Sequence, residues 1–260
     1  MFGRTDGAGA GFSRICLYLG LRSPIIAGRG PPTPFRSDSM DDERRPRRAG
    51  PLERPGALGG KRDVNRRKRV QDLAAAGLEL FLKNGIEGVT IDEVAREAGM
   101  AKGNFYRYFR DKADLVEAVI EPVADAARTA LRECDNKLRG ANGREETVDS
   151  YRHLGTKLVA TLAMFPEATC VYLQERRAPA TPARQAISEL AKELDDRAIA
   201  LSEVAVERGL LTVDDPRVSA LAVSGAVESL ALAALRKQFP MDPLETANAL
   251  IGLVLDGIRK

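Results

Sequence analysis

Apolar residues recur at helical spacing along the chain from about residue 65 onward. In the segment that follows Asn65, five small or apolar residues share one helical face: Val70, Leu73, Ala74, Gly77 and Phe81. Asn84 and Gly85 end this pattern, because glycine tolerates the left-handed conformation that caps many helices. The spacing therefore predicts a first amphipathic helix that ends near residue 84.

Two short helices are predicted next. Thr90 and Glu93 have the spacing of a capping box, in which each side chain bonds the backbone N–H of the other residue. Four residues form the inner face of this helix: Ile91, Val94, Ala95 and Ala98. Gly99 stops the helix, and a third short helix is expected from about residue 102 to residue 109.

A long fourth helix is predicted to follow Asp111 and Lys112. Its inward positions are Leu115, Val116, Val119, Ile120 and Val123. Five more helices are predicted, at residues 145–165, 166–177, 182–208, 216–237 and 243–259. Four of them begin at proline, which suits the first turn of a helix, and no segment alternates like a β-strand. The fold class is therefore predicted to be all-α.

The first 60 residues have a different character. They contain 7 of the 14 prolines and 11 of the 23 glycines and show no sustained hydrophobic period. Such a segment buries too little apolar surface to offset its ordering entropy, so residues 1–60 are expected to be a disordered extension. Met40 opens the stretch MDDERRPRR, and one hypothesis is that translation begins there and that residues 1–39 are not translated.

The aromatic residues are concentrated behind a glycine turn. Of the 8 Phe and 5 Tyr residues, four lie within residues 105–109, and two glycines stand just before them. Phe105 and Phe109 are four residues apart, so they share a helical face and are expected to enter the core. Tyr106 and Tyr108 fall on other faces, where each offers a hydroxyl to phosphate and a ring to sugar or thymine. Two short helices joined in this way have the form of a helix-turn-helix.

Other residues around this turn carry groups that suit DNA. Lys102 can neutralise a phosphate or bond guanine, and Asn104 can bond base edges in the major groove. Gly103, near a helix N-terminus, lets the backbone approach a phosphate. Lys112, at the start of the next helix, is placed to contact the flanking backbone. These residue types predict an interface with double-stranded DNA.

The charge distribution supports that prediction. Residues 61–112 carry 12 Lys and Arg against 8 Asp and Glu, whereas residues 113–260 carry 18 against 23. A basic front and an acidic back indicate that the front meets a polyanion. The run RRKR at residues 66–69 is expected to precede the first helix, either as an arm on the DNA backbone or minor groove or as a solvated charge run.

The segment GVTIDEVAREAGMAKGNFYRYFRDKADLVEAV resembles the DNA-binding domain of TetR-family transcriptional regulators, and the likeness covers about residues 66–120. It has their order of Thr, a two-turn helix, Ala-Gly, Lys-Gly, an aromatic, Tyr, Tyr-Phe, and a later Lys and Leu. Ala101 departs from the family, because many members have Ser or Thr there, and Met100 replaces the usual Val. The resemblance implies the following DNA contacts: Thr90, Lys102, Gly103, Asn104, Tyr106, Tyr108 and Lys112, of which Thr90 and Lys112 contact phosphates.

The resemblance also implies a division into a helix-turn-helix domain at residues 61–112 and a helical ligand-binding and dimerisation domain at residues 113–260. Helix-turn-helix proteins usually pair so that two recognition helices reach successive major grooves, which predicts a homodimer on a palindromic operator. The last two predicted helices are small and apolar over most of their surface. They are expected to form a four-helix bundle across a two-fold axis.

Regulators of this family are usually released from DNA by a small molecule bound among the middle helices. Six residues are candidates for lining that site: Tyr151, His153, Met164, Phe165, Tyr172 and Gln174. Their mostly apolar character favours a hydrophobic effector. Repression is the default expectation, because blocking polymerase needs no further surface. The alternative is a DNA-binding protein of this type with a structural or partner-recruiting role and no small ligand.

Other classes of protein lack support in the sequence. A single histidine cannot supply Glu-x-x-His pairs, and no Gly-rich nucleotide loop or nucleophile elbow occurs, so an enzyme is not expected. The cysteines, Cys16, Cys134 and Cys170, lack metal-site spacing, and neither a metal nor a cofactor is predicted. The chain is expected to lack an apolar run of the about 18 residues that cross a bilayer, which predicts no membrane segment and a cytoplasmic location.

Overall fold

The computed structural model describes residues 60–238 and 242–256. This part of the chain contains nine α-helices: α1 (Lys61–Asn84), α2 (Ile91–Glu97), α3 (Lys102–Phe105), α4 (Lys112–Gly140), α5 (Arg144–Met164), α6 (Pro166–Glu175), α7 (Gln185–Glu207), α8 (Pro216–Leu235) and α9 (Pro243–Asp256). A 3-10 turn (Pro182–Arg184) precedes α7. The all-α prediction is confirmed, and the expectation for residues 1–59, including the untranslated start, lies outside the described residues.

Two helix boundaries in the N-terminal unit differ from the sequence prediction. Helix α1 begins at Lys61, so the run at residues 66–69 forms helical turns and is not an arm before the helix. Lys and Arg are good helix formers, and an ion pair between Asp63 and Arg67 one turn apart stabilises this start. Helix α3 ends at Phe105, and the chain continues to Phe109 in turns.

The N-terminal three-helix unit is held by an apolar core. Leu73 and Phe81 of α1 and Val94 of α2 are fully buried, as the periodicity predicts. Phe105 and Phe109 are also buried, with ring centroids 5.6 Å apart. The predicted core role of these two phenylalanines is confirmed, and the helix-turn-helix is built on them.

Local chain signals set the ends of α1 and α2. Gly85 ends α1 with φ of 71°, and Gly99 follows α2 with φ of 67°, both in the left-handed region. The predicted capping box is present, because the Glu93 N–H donates to Thr90 Oγ1 and the Thr90 N–H donates to Glu93 Oε2. These short-range contacts fix where α2 begins and how sharply the chain turns into α3.

Helices α4 to α9 form a larger helical bundle. Helix α4 belongs to both halves of the chain, since Leu115 and Val116 enter the N-terminal core while Cys134 and Leu138 pack on α7. The helix runs continuously through Pro122. Helices α5 and α9 approach closely at Gly155, where an added Cβ would lie 3.4 Å from the Cβ of Ala247.

Helix α8 corrects the expectation that no segment is apolar and long enough to cross a bilayer. Its 20 residues meet that description by length and composition, and little of the helix is buried within the subunit. Its apolar character comes from Ala, Val and Leu residues, with Glu228 near the middle. In the structure α8 packs on α7 and Glu228 is ion-paired, so this is a helix of the bundle with one uncovered apolar face.

A buried carboxylate joins the bundle to the N-terminal unit. Glu175, the last residue of α6, accepts a hydrogen bond of 2.9 Å from the Ile86 N–H, in the turn between α1 and α2. Its second oxygen accepts from Arg184 Nε at 2.6 Å. Glu175 is 8% exposed. Both carboxylate oxygens are therefore used, and the α1–α2 turn is held against the end of α6.

The same turn is held from its other side by Lys112. The ammonium group donates to the carbonyl oxygens of Ile86 and Val89, each at 3.0 Å. Glu87, between these two, faces Lys112 at 3.7 Å and Arg184 at 3.5 Å. The α1–α2 turn is thus fixed by charged groups from α4 and from the 3-10 turn before α7.

We expect Phe105→Ala to destabilise the protein by about 3–5 kcal/mol, because it leaves a cavity in a fully buried site. Urea denaturation at fixed protein concentration measures this change. Asn104→Ala, at an exposed position of the same helix, should change the free energy of unfolding by less than about 0.5 kcal/mol. Equal effects of the two substitutions would contradict the described core.

We expect Glu175→Gln to increase hydrogen–deuterium exchange at the Ile86 amide, because the substitution removes the ion pair with Arg184 that orients the Glu175 acceptor. Mass spectrometry of the segment around residues 84–90 measures this exchange. Glu189→Gln, at an exposed position of α7, is the matched control and should leave that segment unchanged. Unaltered protection in Glu175→Gln would mean that the carboxylate does not hold the turn.

Candidate DNA interface and effector cavity

Three of the predicted DNA-contacting residues, Lys102, Gly103 and Asn104, lie on α3 directly after the turn from α2. Gly103 and Asn104 are exposed, and an added Cβ at Gly103 would meet no atom within 4 Å. Lys102 Nζ lies 3.0 Å from Asp92 of α2. This surface is accessible, and the Lys102 ammonium is held within it by a carboxylate.

The two predicted tyrosines lie at the edge of the same surface and are half-buried. The Tyr106 ring packs edge-on against Phe105, with centroids 5.5 Å apart and an angle of 84° between the planes. Tyr108 borders a cleft that the start of α1 completes. The residues that line this cleft with Tyr108 are Arg62, Asn65, Arg66, Lys68 and Arg69.

Sequence reasoning missed Arg107 and the position of Arg69. A recess of about 280 Å³ has both arginines on its wall, together with Asn104 and Tyr108. An arm that precedes the first helix would not place Arg69 beside Arg107 in this way. The helix-forming residues of the run were the signal that α1 continues through it and brings Arg69 beside the recognition turn.

Thr90 and Lys112 already have partners inside the protein. The Thr90 hydroxyl donates to Glu93 Oε2 at 2.8 Å, and hydrogen bonds from the Thr90 backbone and hydroxyl lower the pKa of Glu93. Lys112 donates to two backbone carbonyls, as described above. The structure therefore gives both residues a role in shaping the domain, which sequence reasoning did not foresee.

A cavity of about 310 Å³ lies among helices α4 to α9. Its wall is formed mainly by Leu, Val, Ala and Ile side chains. Of the six effector candidates, Tyr151 and Tyr172 line the cavity. The other four, His153, Met164, Phe165 and Gln174, are not among its lining residues.

Those four side chains lie elsewhere for identifiable reasons. His153 is bonded to Glu133 of α4, with 2.8 Å between Nε2 and Oε2. Met164 is 65% exposed at the end of α5. Phe165 occupies the break between α5 and α6, and Gln174 is half-buried one residue before the Glu175 contact. Residue type alone does not distinguish these four positions from the two tyrosines that line the cavity.

One part of the cavity wall is charged. Of the residues that line it, three carry charge, namely Arg176, Asp195 and Glu228. Arg176 Nη2 lies 3.1 Å from Asp195 Oδ2, and Nη1 is ion-paired with Glu228 Oε1. Arg176 Nη1 also donates to the Tyr172 hydroxyl at 3.1 Å. Residues from α7, α8 and the end of α6 thus meet in one polar cluster.

Burial alters the acid–base properties of this wall. Burial raises the pKa of Glu228 above its ordinary value, although Arg176 and Arg177 oppose the change. Burial likewise raises the pKa of Tyr172 to about 12. The sequence did hold a signal for this cluster, because Glu228 is the one acidic residue within the apolar segment of α8.

Comparison with protein families gives two matches. The family model described as bacterial regulatory proteins of the tetR family matches residues 73–119. The model described as the tetracyclin repressor-like C-terminal domain matches residues 146–258. The first match covers the helix-turn-helix and the second covers most of the bundle that contains the cavity.

Known proteins show the same likeness. Transcriptional regulator AcuR of Cereibacter sphaeroides is 47% identical over 51 residues, which are 20% of this chain and 23% of AcuR, so the match spans about a quarter of that relative. The structure of FadR from Bacillus subtilis in complex with stearoyl-CoA superposes with a TM-score of 0.57 at 18% identity, covering 73% of this chain and 99% of FadR.

The TetR-family regulator PfmR from Thermus thermophilus superposes with a TM-score of 0.55 at 19% identity, covering 72% of this chain and 99% of PfmR. The first family model agrees with the helix-turn-helix described above, and the second agrees with the helical bundle. The chain therefore belongs to the TetR family of DNA-binding transcriptional regulators.

Proposed function

We propose that this protein is a cytoplasmic, homodimeric repressor that binds a palindromic operator and is released by a small hydrophobic effector. The observation that carries the proposal is the position of α6, whose last residue and its neighbour face two sites. Glu175 contacts the N-terminal unit, and Arg176 lies on the cavity wall. A ligand in the cavity thus has a short physical route to the DNA-binding surface.

The DNA contacts are proposed to come from the exposed recognition turn and from the start of α1. Asn104, Tyr106 and Lys102 lie where a major groove would meet α3, with Gly103 open to close approach. Arg69 and Arg107 add positive charge beside Tyr108. The positively charged groups would neutralise phosphates, which gives the salt-dependent part of DNA affinity. The groups that reach base edges would give the sequence-dependent part.

Thr90 and Lys112 enter this proposal in a modified form. Lys112 has three N–H donors, and two of them bond carbonyls of the α1–α2 turn. Lys112 Nζ lies 3.7 Å from Glu87 Oε2, which is longer than a hydrogen bond. The third donor could therefore bond a phosphate oxygen at a shorter distance. Thr90 is exposed beside it. Both residues would contact the DNA backbone while they stabilise the α1–α2 turn.

Dimerisation is proposed through the apolar face of α8 and α9. Large apolar side chains are exposed along these two helices: Val218, Leu221, Leu244, Leu253 and Val254. Several large apolar side chains exposed on neighbouring helices are typical of a protein contact. Two helices from each subunit would form a four-helix bundle, and the symmetry would place two recognition turns on one operator.

The effector is proposed to occupy the cavity. Its volume of about 310 Å³ is at the lower end of the usual range for small-molecule sites, about 300–1,000 Å³. The B. subtilis FadR structure holds stearoyl-CoA on the same fold. The cavity favours ligand-controlled binding over the alternative of a structural or partner-recruiting protein without a ligand. We propose no enzymatic activity.

We expect the protein to bind DNA from upstream of its own gene more tightly than random DNA, in fluorescence anisotropy across a salt series. Tyr106→Phe removes the hydroxyl and keeps the ring on Phe105, so it should weaken operator binding about tenfold if the hydroxyl bonds a phosphate.

Arg107→Ala should reduce the slope of log binding constant against log salt concentration by about 0.9 for each lost phosphate contact.

Arg132→Ala, at an exposed position of α4 outside the N-terminal unit, is the charge-matched control and should leave affinity and salt slope unchanged. Equal affinity for upstream and random DNA would argue against this operator. Wild-type affinity in both Tyr106→Phe and Arg107→Ala would remove these residues from the interface.

We expect Leu221→Glu to convert the dimer to a monomer, because it places charge on the exposed apolar face of α8 without touching the cavity wall. Size-exclusion chromatography with light scattering measures the mass, and operator affinity should fall with it. Val64→Glu changes an exposed apolar residue of α1 and should stay dimeric. A dimeric Leu221→Glu protein would rule out this face as the interface.

A further inference from the structure

We propose that the effector is an apolar molecule with a positively charged, amine-type group, recognised by the carboxylates of Asp195 and Glu228. This inference rests on the proposed function, since it names the ligand class for the same cavity. Apart from these two carboxylates and Arg176, the side chains that line the cavity are uncharged. A ligand that fills the cavity therefore meets charge at one place.

The most exposed charged side chain at that place, Asp195, is a hydrogen-bond acceptor. The Arg176 side chain is 11% exposed, and its terminal nitrogens are directed to Tyr172, Asp195 and Glu228. Asp195 is the more accessible partner, with 29% of its side chain exposed. A carboxylate oxygen can accept more than one hydrogen bond, so Asp195 retains acceptor capacity for a ligand. A donor on the ligand therefore finds a partner at Asp195, whereas the one Arg176 nitrogen without a hydrogen-bond partner, Nε, is buried.

The charges on the wall favour the same class of ligand. When ionised, two carboxylates and one guanidinium give the lining a net negative charge. Arg177 also reaches Glu228, at 3.2 Å, but its side chain is 70% exposed, so water screens its charge. A cation would offset the remaining negative charge in a site of low polarity, whereas a carboxylate ligand would add to it.

The shape of the cavity supplies the second half of the recognition. Away from the cluster, the wall consists mainly of aliphatic residues on α5, α8 and α9, among them Leu158, Val223, Leu250 and Ile251, with a few Ser and Thr hydroxyls between them. Their burial against a hydrocarbon body supplies affinity without directional preference. The charged end of the cavity then fixes the orientation of the ligand. Its cationic group lies at the carboxylates that pair with Arg176, and hence close to Glu175.

The test uses three probes with one chain length and different head groups: decylamine, 1-decanol and decanoate. Isothermal titration calorimetry with the full-length protein near pH 7 measures binding without DNA. We expect decylamine to bind about tenfold tighter than decanol, as a charge-assisted hydrogen bond outweighs a neutral one, and decanoate to bind most weakly. Decanoate that binds as tightly as decylamine would overturn the proposal.

Two substitutions test whether Asp195 and Glu228 cause the preference for decylamine. Glu228→Gln and Asp195→Asn each leave Arg176 with one carboxylate partner, so the fold should persist, which a thermal melt checks. Each should lower decylamine affinity about tenfold and leave decanol affinity unchanged. Glu167→Gln, at an exposed position of α6 off the cavity wall, is the control. A decylamine preference that survives in both cavity variants would overturn the assignment.

Operator binding of the same samples separates this inference from the proposed function. Release of operator DNA by decylamine supports both. Operator binding that no probe affects, together with absence of heat from all three, overturns the ligand class but leaves the DNA-binding function standing. Loss of specific operator binding in the ligand-free protein would instead fail the proposed function, whatever the probes bind.

Discussion

The buried carboxylate of Glu175 is the contact on which the arrangement of the two halves depends. It accepts from the Ile86 N–H and from Arg184, and so closes the space between α6 and the α1–α2 turn. Gly85 lies against it, since an added Cβ would be 3.0 Å from the carboxylate oxygen. Breaking the contacts of a buried carboxylate is costly, so these bonds hold the turn to the end of α6.

Most of the helical framework could be predicted because its signals are local. The capping box at Thr90, the glycine at position 85 and the prolines that open α6, α8 and α9 act within a few residues, and the structure has helices where they indicate. The start of α1 differs from the prediction, because the residues of the basic run favour helix and extend α1 back to Lys61.

The polar cluster of the cavity could not be predicted in the same way. Arg176, Asp195 and Glu228 come from three separate parts of the chain, and only tertiary packing brings them together. Lys112 illustrates the same limit, because its two carbonyl partners are more than 20 residues away. Spacing rules identify faces of single helices, whereas these contacts depend on how several helices meet.

The adjacency of Glu175 and Arg176 has a consequence for how such a protein diversifies. Successive helical residues point about 100° apart, so one side chain can serve the junction while the next serves the cavity. Asp195 and Glu228 lie on other helices and take no part in the junction. Under the proposed function, substitutions at those two positions would alter which molecules are sensed while the junction that transmits the response is inherited intact, so sensing and responding would be free to evolve separately.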